Sequence, residues 1–208
     1  EGTVHSELLR RPGKLYVLAS HFHPDHFNKE VLQWREQRPD IIYIFSKDIL
    51  RHRRAQKEDA VWLKKGEEYK DETLSVRAFG STDVGVSFLL QAGGKKIFHA
   101  GDLNNWHWMD ESTEAEWKGA EKNFLHELDD LYAYTPEVDV AMFPVDPRLG
   151  KEYMRGAGQF VTKIKTHIFV PMHFTPEYAK ANAFRDFAEA HGVRFVSLTH
   201  RGQKIEIE

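Results

Sequence analysis

The 208-residue sequence has no cysteine. Disulfides and thiolate metal sites are therefore excluded, and any metal must be held by nitrogen and oxygen donors. No run of the chain approaches the roughly 18 consecutive apolar residues that a membrane helix needs. A charge excess is also missing: 29 Lys and Arg stand against 32 Asp and Glu, for a net charge of −3 with the histidines neutral. That removes the electrostatic argument for a nucleic-acid partner, which ordinarily leaves a basic excess. The start carries no leader-like pattern, and with the lack of cysteine this fits a cytoplasmic protein. What the sequence does have is histidine, 12 of them, and an ample supply of aromatic residues. Its length and mixed composition are those of one soluble domain over residues 1–208, large enough to form a core without staples.

Apolar runs at Leu15–Ser20 and Ile41–Phe45 predict buried strands. Thr73–Phe79 alternates as a half-buried strand should, and Val84–Ala92 and Lys95–Ala100 flank a Gly-Gly pair that predicts a hairpin. Further strands are expected at Val138–Phe143, His167–Val170, Arg194–Leu198 and Lys204–Ile207. Helices are expected at Asn28–Arg38, from a Ser46 cap to about Gln56, at Ser112–Tyr134, at Glu152–Ile164 and at Pro176–His191. Alternating strands and helices with inserted hairpins predict a layered α/β domain. The run Arg51–Arg54 reads as a solvated helix face.

One constellation carries chemistry. His21-Phe22-His23-Pro24-Asp25-His26 directly follows the first apolar run. A strand end fixes the backbone, and a tight turn beyond it aims several side chains at one place. Neutral imidazoles and carboxylates are good ligands for Zn²⁺, Fe²⁺ or Mn²⁺. Three histidines and an aspartate within six residues are far denser than core or surface histidines are.

This segment resembles the HxHxDH signature of the metallo-β-lactamase-fold hydrolases. The resemblance continues in order, with Gly101-Asp102 after the run KKIFHA and His173 after HIFVPM. It implies a four-layer αββα sandwich and a centre of one or two metal ions. His21 and His23 would bind the first ion, Asp25, His26 and His173 the second, and Asp102 would bridge. It also implies hydrolysis by a metal-bound hydroxide, with Asp25 orienting the water or accepting its proton. Two departures stand out. Ser81 occupies the place of the family's usual third histidine, so the first position is either weak, empty or completed by another group, for which Asp83 and His107 are the candidates. And only residues 1–14 precede the first strand, where the family places a hairpin or more, so N-terminal strands are expected to be missing from the given sequence.

Around the centre, Trp106 and Trp108 are candidates for a pocket wall, and His107 for a substrate contact, proton donor or ligand. Arg148 is a candidate anion clamp, with a structural ion pair as the equal alternative. The leading expectation is a hydrolase of a small-molecule ester, lactone or phosphorylated metabolite. A phosphodiesterase or nuclease on the same centre, and a metal-binding protein without catalysis, are the competing readings. Oligomeric state is left open.

Overall fold

The computed structural model describes residues 6–174 and 176–206. In chain order it contains α1 (Ser6–Leu9), β1 (Tyr16–Ala19), a 3-10 helix (Lys29–Glu36), β2 (Ile42–Ser46), α2 (Lys47–Arg51), β3 (Val61–Leu63), β4 (Glu68–Lys70), β5 (Ser75–Phe79), β6 (Ser87–Ala92) and β7 (Lys95–His99). Then follow α3 (Glu114–Tyr134), β8 (Glu137–Pro144), a 3-10 segment (Pro147–Glu152), α4 (Arg155–Lys163), β9 (Lys165–Met172), α5 (Tyr178–Asn182), α6 (Arg185–Ala190) and β10 (Arg194–Phe195).

The strands form two sheets. The smaller, β1-β2-β3, is wholly parallel, and β1 is an edge strand. The larger has the order β10-β9-β8-β7-β6-β5-β4, parallel from β10 to β7 and antiparallel from β7 to β4. Period-two alternation explains the layering. In β2, Tyr43 and Phe45 face an outer cluster with Phe27 and Ile49, while Ile44 faces Val76, Ala78 and Phe88 of the other sheet. On its far side the large sheet buries Phe98, Phe143 and Phe169 against Phe124, Leu128 and Phe160 of α3 and α4. Each such ring contributes about 1.5–3 kcal/mol by leaving water. The result is the expected helix–sheet–sheet–helix sandwich, with unequal sheets. The inner face of β7 to β9 packs instead on Val196, Leu198 and Ile205.

Several elements differ from expectation. Residues 29–36 form a 3-10 helix, capped by Asn28 as expected. The Tyr43 hydroxyl donates to the Val31 carbonyl and ties this turn to β2. The long helix of residues 114–134 is capped by Thr113 rather than Ser112. The stretch 176–191 splits into α5 and α6, because the fully buried Phe184 is drawn into the core between them. Asn182 also clamps both backbone groups of Leu198, which ends β10 early. No strand forms at 204–206, and Ile207 lies outside the described residues. The three-residue strands β3 and β4 are too short to leave a periodic signal. Among the described residues, no helix is long and apolar enough to cross a membrane.

This topology positions the site. β5, β7, β8 and β9 run in one direction, so the loops after them share one rim. The loop after β1 meets that rim from the smaller sheet, through Val86 N–H donating to Ser20 O at 3.0 Å.

Candidate metal centre

The His21–His26 loop is a tight turn held from several sides. His26 and Phe27 N–H donate to the His23 carbonyl at 3.0 and 2.8 Å. Phe22 N–H donates to Asp48 Oδ2 at 2.9 Å, and the Phe22 ring stacks on His52 at 3.7 Å. The rings of His21 and His26 consequently lie 4.0 Å apart. Ser20 Oγ sits 3.1 Å from His21 Nδ1 and 3.4 Å from His26 Nδ1. A hydroxyl oxygen can accept from both rings, which leaves both Nε2 atoms free to face a cation.

Asp102 enters from the end of β7. Gly101 has φ 59°, and a Cβ on it would lie 2.8 Å from Ser20 Cβ and 2.9 Å from Val86 O. Only glycine lets the two sheets approach here. Gly101 N–H donates to His99 Nδ1 at 3.1 Å. Burial, helped by the charge of His26, pushes the His99 imidazole down to about 4, so it is a neutral acceptor.

The two oxygens of Asp102 divide between two groups of donors. Oδ2 lies 3.2 Å from His21 Nε2, whereas Oδ1 lies 3.1 Å from His26 Nε2 and 3.5 Å from His173 Nε2. His21, His23 and Asp102 form one group, and Asp25, His26 and His173 the other, each with donor atoms within 4.8 Å of one another. His21 Nε2 and Asp102 Oδ1 are buried and have no hydrogen-bond partner. Such orphans are costly unless something else satisfies them, and a divalent cation between these donors would do so. Burial would raise the Asp102 carboxyl, but the His21, His26 and His173 rings outweigh it and hold the group below its ordinary value. Burial likewise pushes His26 down, against the pull of Asp102. A neutral His26 beside an ionised Asp102 is the pair of states that metal binding requires of these two groups. The donor set fits a divalent ion.

His173 is braced from behind. Its backbone has φ 62°, and its Nδ1 donates to Asp146 Oδ2 at 2.9 Å. Burial opposes charge on this ring, but Asp146 and Asp102 prevail and raise its pKa. Asp146 is fully buried and is gripped by the Arg148 guanidinium, with Nη2 at 2.6 Å. These partners hold its carboxyl far below the usual range despite burial.

The other expected residues fall out unevenly. Trp106, Trp108 and Arg148 line a cleft of about 420 Å³ together with His23, Asp25, Asp83, Asp102 and His173. Trp106 and Trp108 are stacked at 6.3 Å, and Trp106 Nε1 donates to Asp102 O at 2.9 Å. Arg148 makes the structural ion pair with Asp146, yet its side chain remains 63% exposed at the cleft. His107 does not join the site. It is buried, and its ring spans Glu152 O at 3.1 Å and the N–H of Met109 at 3.1 Å, so backbone uses both nitrogens. Ser81 is not in the cleft either, since its hydroxyl accepts from Asp83 N–H. The Arg51–Arg54 segment is largely exposed, as expected, but it is not a helix face: α2 ends at Arg51 instead of running to about Gln56, and Arg53 has a positive φ of 54°.

Sequence reasoning missed Ser20 and the bracing role of Asp146. Ser20 is signalled by a hydroxyl directly before the histidine motif, and Asp146 by its place at another strand end on the same rim. It also missed why Gly156 is small. A Cβ there would lie 2.0 Å from Asn104 Oδ1, so glycine lets α4 press against the loop after Asp102.

With this geometry the comparisons are decisive about kinship. Residues 6–174 match the model of the beta-lactamase superfamily domain. The chain belongs to the beta-lactamase superfamily. Among curated proteins none matches. Solved structures share the superfamily fold at low identity. A metallo hydrolase from the hyperthermophilic archaeon Ignicoccus hospitalis is similar with a TM-score of 0.60 and 16% identity, over 88% of this chain and 76% of that one. The diiron β-hydroxylase CmlA of Streptomyces venezuelae gives 0.58 and 15% over 90% of this chain and 44% of its own. Zn²⁺-bound PqqB from Methylobacterium extorquens gives 0.54 and 16% over 92% and 73%. This superfamily member therefore has a metallo-hydrolase fold with a His/Asp cluster suited to metal.

Proposed function

We propose that the protein is a metal-dependent hydrolase of small molecules that carry an anionic group beside a scissile ester, lactone or phosphate-ester bond. The observation that carries this reading is the split of Asp102 between two imidazole groups at the floor of an open cleft. Zn²⁺ is the proposed ion, with Mn²⁺ or Fe²⁺ as substitutes. A bound divalent ion supplies Lewis acidity and brings the pKa of a water down to about 7.

The chain's own groups do the rest. Asp25 is 69% exposed at the side chain and lies 3.4 Å from His26 Nε2. Its carboxylate is placed to orient the attacking water and take its proton. Trp106 and Trp108 offer an apolar wall, which orders a substrate and keeps bulk water away. Arg148, held in one rotamer by Asp146, presents its free guanidinium edge to a carboxylate or phosphate. A cleft of this volume matches those that enclose small ligands, about 300–1,000 Å³.

The test is a screen of esters, lactones, phosphomonoesters and phosphodiesters with metal-reconstituted protein. Turnover should vanish on chelation and return with added metal. Arg148→Ala should raise KM on anionic substrates about tenfold more, or roughly 1.4 kcal/mol, than on neutral analogues, and any loss common to both classes reports its grip on Asp146. A fully metallated protein inert on every class would overturn the reading in favour of metal binding without catalysis.

A further inference from the structure

The first metal position has only His21, His23 and the shared Asp102, because Ser81 stands where a third histidine would be. We infer that Asp83 supplies the missing donor, so that this position is built from two imidazoles and two carboxylates. The assignment rests on the metal-binding reading of the site, not on hydrolysis.

Two observations of Asp83 carry it. Its Oδ2 lies 3.9 Å from His23 Nδ1, near the roughly 3.3–3.6 Å between donors on one tetrahedral ion with bonds of about 2.0–2.2 Å. Its side chain lines the cleft and is 45% exposed, so it has room to swing from its place beside His23 towards the His21, His23 and Asp102 group, to which it does not yet belong.

The neighbouring alternatives are occupied. The Thr82 hydroxyl bonds both the carbonyl and the N–H of Asn104, which ties the 80–83 loop to the one after Asp102. Ser81 Oγ accepts from the Asp83 amide and so shapes the turn that carries Asp83. Both ring nitrogens of His107 are taken by backbone. Among the described residues of these loops, Asp83 offers a carboxylate that faces the cleft and has His23 as its neighbour.

Replacing an imidazole by a carboxylate makes the position harder and more anionic. Its relative preference moves from Zn²⁺ towards Mn²⁺ and Fe²⁺.

The test counts metal rather than turnover. Metal-free protein is dialysed against defined free Mn²⁺ or Zn²⁺, and bound ions are measured by atomic emission. Wild type should bind two ions per chain. Asp83→Asn should lose one of them, its affinity at that position falling about tenfold or more, with Mn²⁺ affected more than Zn²⁺. Asp83→His should regain two ions and prefer Zn²⁺. Two ions bound at unchanged affinity in Asp83→Asn, or a single ion in wild type, would overturn the assignment. A wild type that binds two ions, loses one with Asp83→Asn and hydrolyses nothing would retain this assignment and remove the proposed activity.

Discussion

The two proposed metal positions use the same kinds of donor but are held in different ways. At the second, His173 is fixed by a buried Asp146, itself gripped by Arg148, so orientation is set from behind by a charged relay. At the first, His21 is fully buried beside Ser20, but His23 is 37% exposed at the side chain and Asp83 is more exposed still. Both proposed positions keep an exposed carboxylate, Asp25 at the second and Asp83 at the first, but the second alone has an imidazole braced by a buried acid.

Asp102 tests whether the positions are joined. Asp102→Asn should cost both ions at least about 100-fold in affinity, since it touches both donor groups. Chelation should lower the melting temperature of wild type by about 5–10 °C for each ion held at a hundredfold excess over Kd, and should leave Asp102→Asn nearly unmoved. Loss of only one ion would show the positions to be independent.

Asp146→Asn separates them. It should weaken the second ion about 10–100-fold and leave the first nearly unchanged, as read by calorimetric titration. Equal losses at both positions would mean that the bracing is not local.

Acid should act more gently and in the same sense. The raised pKa of His173 means that its proton competes with metal already above the ordinary imidazole value of 6.5. Occupancy of the second position should therefore be full at higher pH and fall as pH drops towards and through that raised pKa. Dialysis across a pH series would show this, and release confined to pH values well below 6.5 would contradict it. The smallest effect belongs to Ser20→Ala, which frees the Nδ1 side of both His21 and His26. It should weaken both ions by about tenfold, at the low end for an orienting group. A loss at one position only would mean that Ser20 holds a single ring.

Much of this was legible along the chain. Strong apolar runs gave β1, β2 and β9, because a buried strand needs consecutive β-formers whatever surrounds it. The donors of the His21–His26 turn were visible because they are local in sequence. Elements whose form depends on distant partners were not. The 3-10 turn of residues 29–36 is tied to Tyr43 through its Val31 carbonyl, and the break between α5 and α6 coincides with the burial of Phe184. His107 was misread for the same reason: the Glu152 backbone carbonyl, which accepts a hydrogen bond from its Nε2, is far away in sequence and invisible to a local pattern.

The sequence by itself determined that any metal site must be nitrogen and oxygen based, that the histidine motif ends a strand, and that the third histidine is absent. Those are statements about residue type and near neighbours, which the order of the chain contains. Only the tertiary structure decided how the two oxygens of Asp102 divide between the donor groups, which buried acid fixes His173, and that Asp83 rather than His107 lies beside His23. Each of these depends on the rim where two sheets meet, and on the closeness that Gly101 permits there.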